Sequence, residues 1–137
     1  MAYQKPLPVI DQWSKPFWEA AKEHRLIVQR CDTSGRTWFP PAPVSPATRD
    51  GKWSWVELSG FGRIASWVVF HQRYFAGFAD ELPYPVVQVD LDDGPSIISN
   101  LVNLDGREIT VGMRVRVVFE DVTDEISLPK FAPAEGV

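Results

Sequence analysis

YPVVQVDLDDGPSIISNL, residues 84–101, is the stretch on which the fold of this chain turns. Tyr84–Leu91 is rich in valine and reads as a strand. Asp92-Asp93-Gly94-Pro95 follows, a cluster of turn formers that favours a hairpin. Ser96–Leu101 then reads as the returning strand. Outward from this hairpin lie three further strand candidates. Arg63–Phe70 precedes it across a long connection, and Arg114–Glu120 and Ser127–Phe131 come after it. Leu104-Asp105-Gly106 and Val111-Gly112 mark the link between the hairpin and the last pair. Five short strands with a long first loop predict a small closed barrel over residues 59–137, because closure removes exposed edges. Ser59-Gly60-Phe61-Gly62 reads as the turn or bulge that opens it.

Residues 26–58 have another texture. Leu26–Cys31 reads as a strand, Asp32-Thr33-Ser34-Gly35 as a tight turn and Thr37-Trp38-Phe39 as a short return. Pro40, Pro41, Pro43 and Pro46 then exclude helix and central strand. Trp53–Leu58 resumes strand character, with Trp53 and Trp55 on alternating positions. The segment is expected to be a knuckle with little regular structure. Residues 1–25 are expected to be an extended arm followed by a helix over Asp11–His24. Trp13, Phe17, Ala20, Ala21 and His24 recur at helical spacing, Ser14 is placed to cap, and Pro16 is tolerated in the first turn.

Composition narrows the function. The chain has 137 residues, 45% hydrophobic and 23% charged, enough to bury a core without disulfides. No apolar run approaches the roughly 20 residues of a membrane helix, and Met1–Ile10 lacks the layout of a signal peptide. The single cysteine, Cys31, excludes an internal disulfide. A cytoplasmic protein without a membrane partner is therefore expected. Residues 1–58 carry eight Lys/Arg against six Asp/Glu, and residues 59–137 carry six against twelve. The acidic C-terminal part argues against a nucleic-acid partner, which needs clustered cations. There is no P-loop, G-x-G-x-x-G, H-E-x-x-H or G-x-S-x-G motif.

Several stretches together resemble the zinc-ribbon/OB-fold proteins associated with acyl-CoA metabolism. They are Phe17-Trp18-Glu19 with Arg25–Cys31, Phe39-Pro40-Pro41, Trp55–Gly62, Glu81-Leu82-Pro83-Tyr84, Gly94-Pro95 with Ser99–Val102, Phe119–Val122 and Leu128–Phe131. Their order and spacing, running from about Phe17 to Phe131, carry the resemblance. It implies a mainly β chain: an N-terminal helix, a degenerate rubredoxin-like zinc-ribbon knuckle over 26–58 and a five-stranded OB-fold barrel over 59–137. The family's ribbon holds zinc with two C-x-x-C knuckles. Here those positions are Cys31 and Ser34, then Ser45 and Thr48. Structural zinc needs four thiolate or imidazole donors, so no zinc is expected. Trp38, Phe39, Trp53 and Trp55 are expected to pack the knuckle in its place. A glycine is common in the family where His24 ends the helix; histidine enters the left-handed region more readily than bulky residues do.

The resemblance also implies a partner. Similar proteins occur as small non-catalytic subunits beside thiolase-fold or lipid-transfer-protein-like enzymes: thiolases, acyltransferases and aldolases. This chain is therefore expected to bridge such an enzyme and to help form its acyl-CoA site, with CoA thioester as a shared substrate and no cofactor of its own. The expected contact residues are Trp38, Phe39 and Pro40 of the knuckle, and His71, Arg73, Tyr74, Phe75, Phe78 and Tyr84 of the long loop. Other readings stay open: a free-standing acyl-CoA binder, or a single-strand nucleic-acid barrel. His71 lacks a nucleophile in an evident motif, and Cys31 is read as a relic of the lost knuckle, with Arg30 and Arg36 near enough to lower its pKa. Asp90, Asp92 and Asp93 read as a solvated turn rather than a calcium loop.

Overall fold

The computed structural model describes residues 5–71 and 83–134. One helix, α1 (Lys15–Lys22), precedes eight strands: β1 (Ile27–Cys31), β2 (Thr37–Trp38), β3 (Trp53–Glu57), β4 (Phe61–Phe70), β5 (Tyr84–Leu91), β6 (Ser96–Asn100), β7 (Arg114–Asp121) and β8 (Ser127–Pro133). They form a three-stranded sheet, β2-β1-β3, and a five-stranded sheet, β6-β5-β4-β7-β8. All ladders are antiparallel. A parallel bridge from Leu101 to Phe131 brings the two ends of the larger sheet together, so it curls into a near-closed barrel. The expected class, a helix, a ribbon and a five-stranded OB barrel, is the fold observed.

The helix is shorter than Asp11–His24, and its start works differently. Asp11 Oδ1 accepts the N–H groups of Trp13 (2.9 Å) and Ser14 (2.8 Å), while Ser14 Oγ accepts the N–H of Asp11 (3.1 Å). This reciprocal pair orders the turn ahead of the helix, and the Ser14 hydroxyl, spent on Asp11, does not cap it. The helix ends in a Schellman motif. His24 N–H bonds to Ala21 O and Arg25 N–H to Ala20 O, both at 2.9 Å, and His24 takes the left-handed conformation at φ 60°.

Helix and barrel are joined at this same end. The His24 ring stacks on Phe119 at 5.2 Å and 13°, its Nε2 lies 2.9 Å from Asp121 Oδ1, and Lys22 Nζ donates to Thr123 O at 2.9 Å. Asp121 also accepts the Ser127 hydroxyl. That bond first, and then the one to His24, hold its carboxyl below the ordinary value. A depressed carboxyl stabilises the fold above its unfolded pKa of about 3.9 and loses that contribution as pH falls through the lower folded value. Asp121→Asn should therefore flatten the dependence of the urea midpoint on pH below about 4. An unchanged slope would show that this latch contributes nothing.

The core is continuous from helix to barrel. Phe17, Leu26 and Val28 join Ile64, Val87, Val89, Val115 and Phe131 in one buried cluster. Gly60 sits where the ribbon hands over to the barrel. Its φ is +85°, and a Cβ there would meet Val117 Cγ1 at 2.4 Å, so this crossing requires glycine. The aspartates of the β5–β6 turn are structural. Asp92 binds Arg114 through two oxygens (2.7 and 2.8 Å), and Asp93 accepts Ser59 N–H at 2.9 Å. Among the described residues, no cluster of His, Cys, Asp and Glu is arranged to hold a metal. No helix there is long and apolar enough to cross a membrane.

Candidate functional site

Two sites stand out: the knuckle, and a groove between helix and barrel. In the knuckle the four family metal positions converge. Ser34 N–H donates to Cys31 Sγ at 3.4 Å, and Thr48 Oγ1 lies 3.6 Å from the same sulfur. The hydroxyls of Ser34 and Ser45 lie close enough to act on the thiol electrostatically. Those hydroxyls, Ser34 first, and the Ser34 N–H lower the thiol from its ordinary 9.0 to about 6, against burial, which raises it. Arg30 and Arg36 are not the cause, contrary to the expectation from sequence. The thiol is fully buried, so its acidity does not make it an accessible nucleophile. One thiol and three hydroxyls do not fit a structural zinc site.

Gln29 is the residue the sequence reading missed. It lies in β1, is 1% exposed, and clamps the Pro-rich loop with both ends of its amide. Nε2 donates to Ala42 O at 2.6 Å, and Oε1 accepts Ala42 N–H at 2.7 Å. The signal was available: Ile27, Gln29 and Cys31 share one face of the strand, and both neighbours are buried. The tryptophans add edge-to-face contacts, Trp38 to Trp53 (6.4 Å, 81°) and Trp53 to Trp55 (5.7 Å, 87°). Trp38 is buried, while Trp53 and Trp55 are half-buried. Phe39 turns away from the knuckle and packs on Phe17 at 5.2 Å. The packing expected of four aromatics is thus provided by three.

That turn places Phe39 in the second site. A groove of about 250 Å³ runs between α1, the end of β2 and the barrel, lined by Trp18, Phe39, Ile98, Asn100, Leu128 and Lys130 among others. Asn100 and Lys130 also line a cleft of about 60 Å³ that contains Lys5 and Tyr84. Trp18 leads on the other side into a hollow of about 470 Å³ beside Ile10, Lys15 and Lys22. The Lys130 ammonium pairs with Glu120. Ser99 Oγ donates to Pro129 O at 2.7 Å and Asn100 Nδ2 to Pro85 O at 3.0 Å, which fixes the groove wall. Ile98, on edge strand β6, is 71% exposed beside it. The surface is apolar with charged ends, suited to an acyl chain or to a partner's apolar side chains.

The structure brings Phe39 and Tyr84 to adjoining hollows of this tract. Pro40 is exposed nearby in sequence, and Trp38 belongs to the ribbon interior. Tyr84 opens β5 and contacts Phe70 at 5.3 Å, with His71 exposed just beyond β4. Arg73, Tyr74, Phe75 and Phe78 lie outside the described residues. Among the described residues the thiol of Cys31 meets hydroxyls, and His24 meets Asp121 and Phe119. No thiol–imidazole pair is formed among their hydrogen bonds.

Comparison with known proteins agrees with this architecture. Residues 18–44 match the family described as "ChsH2, rubredoxin-like zinc ribbon domain", and residues 55–120 match "ChsH2, C-terminal OB-fold domain". The chain is 35% identical over 130 residues to a probable enoyl-CoA hydratase alpha subunit of Thermomonospora curvata, covering 95% of this chain but only 40% of that protein. It is 32% identical over 105 residues to a DUF35 domain-containing scaffold protein of Methanothermobacter thermautotrophicus, covering 76% of this chain and 78% of the relative. Among solved structures, a chain of the "Ltp2-ChsH2(DUF35) aldolase" superposes with a TM-score of 0.81 at 34% identity, over 93% of this chain and 98% of that one. A ribbon followed by an OB barrel, matched in both parts and along nearly the whole length, places this chain in the ChsH2/DUF35 family.

Proposed function

We propose that this chain is a non-catalytic accessory subunit that docks on a thiolase-fold acyl-CoA enzyme, bridges the assembly and contributes to its acyl-CoA site. The observation that carries the reading is the end-to-end likeness to a chain of a solved aldolase, Ltp2-ChsH2(DUF35), whose name pairs two proteins. One feature of the molecule supports it. The tract from Tyr84 through Asn100 to Phe39 and Trp18 offers apolar surface rimmed by Lys5 and Lys130. Such a surface suits contact with an enzyme and with the thioester chain it holds.

Native co-purification tests the reading. The chain, tagged in its own host, is expected to elute with a stoichiometric thiolase-fold protein identified by mass spectrometry. Recovery of the chain alone, at its own size across several ionic strengths, would contradict it. Ile98→Asp should reduce partner recovery at least tenfold while leaving the thermal midpoint nearly unchanged, because Ile98 is largely exposed. Full partner recovery with that variant would move the contact elsewhere on the surface. Titration of the isolated chain with CoA separates this reading from a free-standing carrier.

A further inference from the structure

The knuckle sets two facts against each other. Its backbone still gathers Cys31, Ser34, Ser45 and Thr48 around one point, with 3.6 Å between Cys31 Sγ and Thr48 Oγ1. Four zinc–sulfur bonds of about 2.3 Å define a tetrahedron with an edge of about 3.8 Å, so this one S···O hydrogen bond has a length that a metal polyhedron's edge could also take. Yet three of the four corners here are hydroxyls. Each corner has its protons allotted. Ser45 Oγ accepts the N–H groups of Ala47 (3.2 Å) and Thr48 (3.4 Å), which leaves its own proton for the sulfur. Ser34 Oγ accepts Arg36 N–H at 3.2 Å and is free in the same sense. Thr48 donates to Asp50 Oδ1 at 2.9 Å, so it presents a lone pair, not a proton, to Cys31.

We propose that this is a metal-free knuckle in which the Cys31 sulfur is the hub, held by the Ser34 N–H and the Thr48 hydroxyl, while the Gln29–Ala42 clamp holds the Pro-rich loop that zinc holds in a metallated ribbon. The loop keeps its shape through further bonds of the same kind: Ser45 N–H to Asp50 O (2.8 Å), Arg49 N–H to Ser45 O (2.6 Å) and Trp53 Nε1–H to Pro43 O (3.0 Å). Zinc would have to displace this network and accept hydroxyls as ligands, for which it has little affinity. The ribbon is therefore independent of metal supply, whereas its backbone geometry remains that of a metal site. This inference does not depend on the enzyme-subunit reading.

Two measurements test it. The full chain, purified without chelator, should carry no stoichiometric zinc by elemental analysis, and EDTA should leave its urea midpoint unchanged. Stoichiometric zinc, or unfolding on chelation, would overturn the proposal. The triple variant Ser34→Cys, Ser45→Cys, Thr48→Cys should take up one Co²⁺ per chain with the intense visible bands of a tetrahedral thiolate site. A variant that folds only when metal is added supports the retained geometry equally. One that takes no cobalt, folded or not, refutes it.

Discussion

Phe131→Ala is expected to lower the unfolding free energy by about 3–5 kcal/mol, the range for emptying a large buried aromatic site. Phe131 is fully buried and occupies the seam on which barrel closure depends. In β8 it pairs with Val117 of β7, and on its other side it bridges to Leu101 beyond β6. Its carbonyl accepts Val102 N–H at 2.8 Å. The side chain therefore packs where the two edges of the five-stranded sheet meet, and the cavity left by alanine would open at the weakest line of the barrel. A domain of this size has only about 5–15 kcal/mol of stability in total, so much of the variant population should lie near the unfolding transition at physiological temperature. Equilibrium urea denaturation measures the loss. Phe131→Leu, which restores much of the volume, should recover more than half of it. A loss below about 1 kcal/mol for alanine would mean that the seam is loosely packed and the closure only nominal.

Most of the barrel could be read from local chemistry. Tyr84–Leu91 matches the strand inferred from sequence to the residue, because its turn signal is strong and its neighbours on both sides are strands. Errors lie where pairing, not composition, decides. Ser59–Gly62 reads as a turn, yet Phe61 and Gly62 already pair with Arg116 and Val115, and the irregularity falls later, between Ile64 and Ser66. Ala132 and Pro133 fall outside the strand read from sequence, Ser127–Phe131, but extend β8 by pairing with Arg116 and Val115. Nothing within either segment announces its partner. The helix shows the same limit. Its periodicity runs from Trp13 to His24, while hydrogen bonding confines the α-helix to Lys15–Lys22 between the Asp11–Ser14 turn and a Schellman turn.

The candidate site was less legible. Trp38 and Phe39 are both expected to pack the knuckle, but an extended chain alternates its side chains, so the two residues face opposite ways. One buries itself in the ribbon, and the other turns to Phe17 and the groove. The groove itself is made by four segments distant in sequence, α1, the end of β2, β6 and β8, and no local pattern brings them together. The loss of metal ligands was plain from the C-x-x-C spacing. What replaces the metal was not, since the hydrogen bonds of Gln29 are to the backbone of Ala42, whose side chain carries no signal.

That clamp supports the second large effect. Gln29→Leu keeps the approximate size of the side chain and the apolar character of its surroundings, but it orphans both the N–H and the C=O of Ala42. An unsatisfied backbone group away from water costs about 1–3 kcal/mol, and because Ala42 is only half-buried, water recovers part of the loss of two, so the expected destabilisation is about 1–3 kcal/mol. Gln29→Glu should cost a comparable amount for a different reason: the acceptor for Ala42 N–H survives, but the donor to Ala42 O is replaced by a carboxylate in a buried place. The two variants separate clamp from packing. If Gln29 served only to fill space, leucine would be nearly neutral and glutamate alone harmful. If the amide is the fastener, both fail, and amide exchange of Ala42 should accelerate in each well beyond the rest of β1. The consequence extends beyond stability. The clamped loop carries Pro40 and begins at Phe39, which walls the groove, so releasing Ala42 should loosen one side of that surface while the barrel remains folded. Partner recovery is then expected to fall in Gln29→Leu even at temperatures where circular dichroism shows an intact barrel. Unchanged recovery alongside a loosened loop would show that the ribbon side of the groove takes no part in docking.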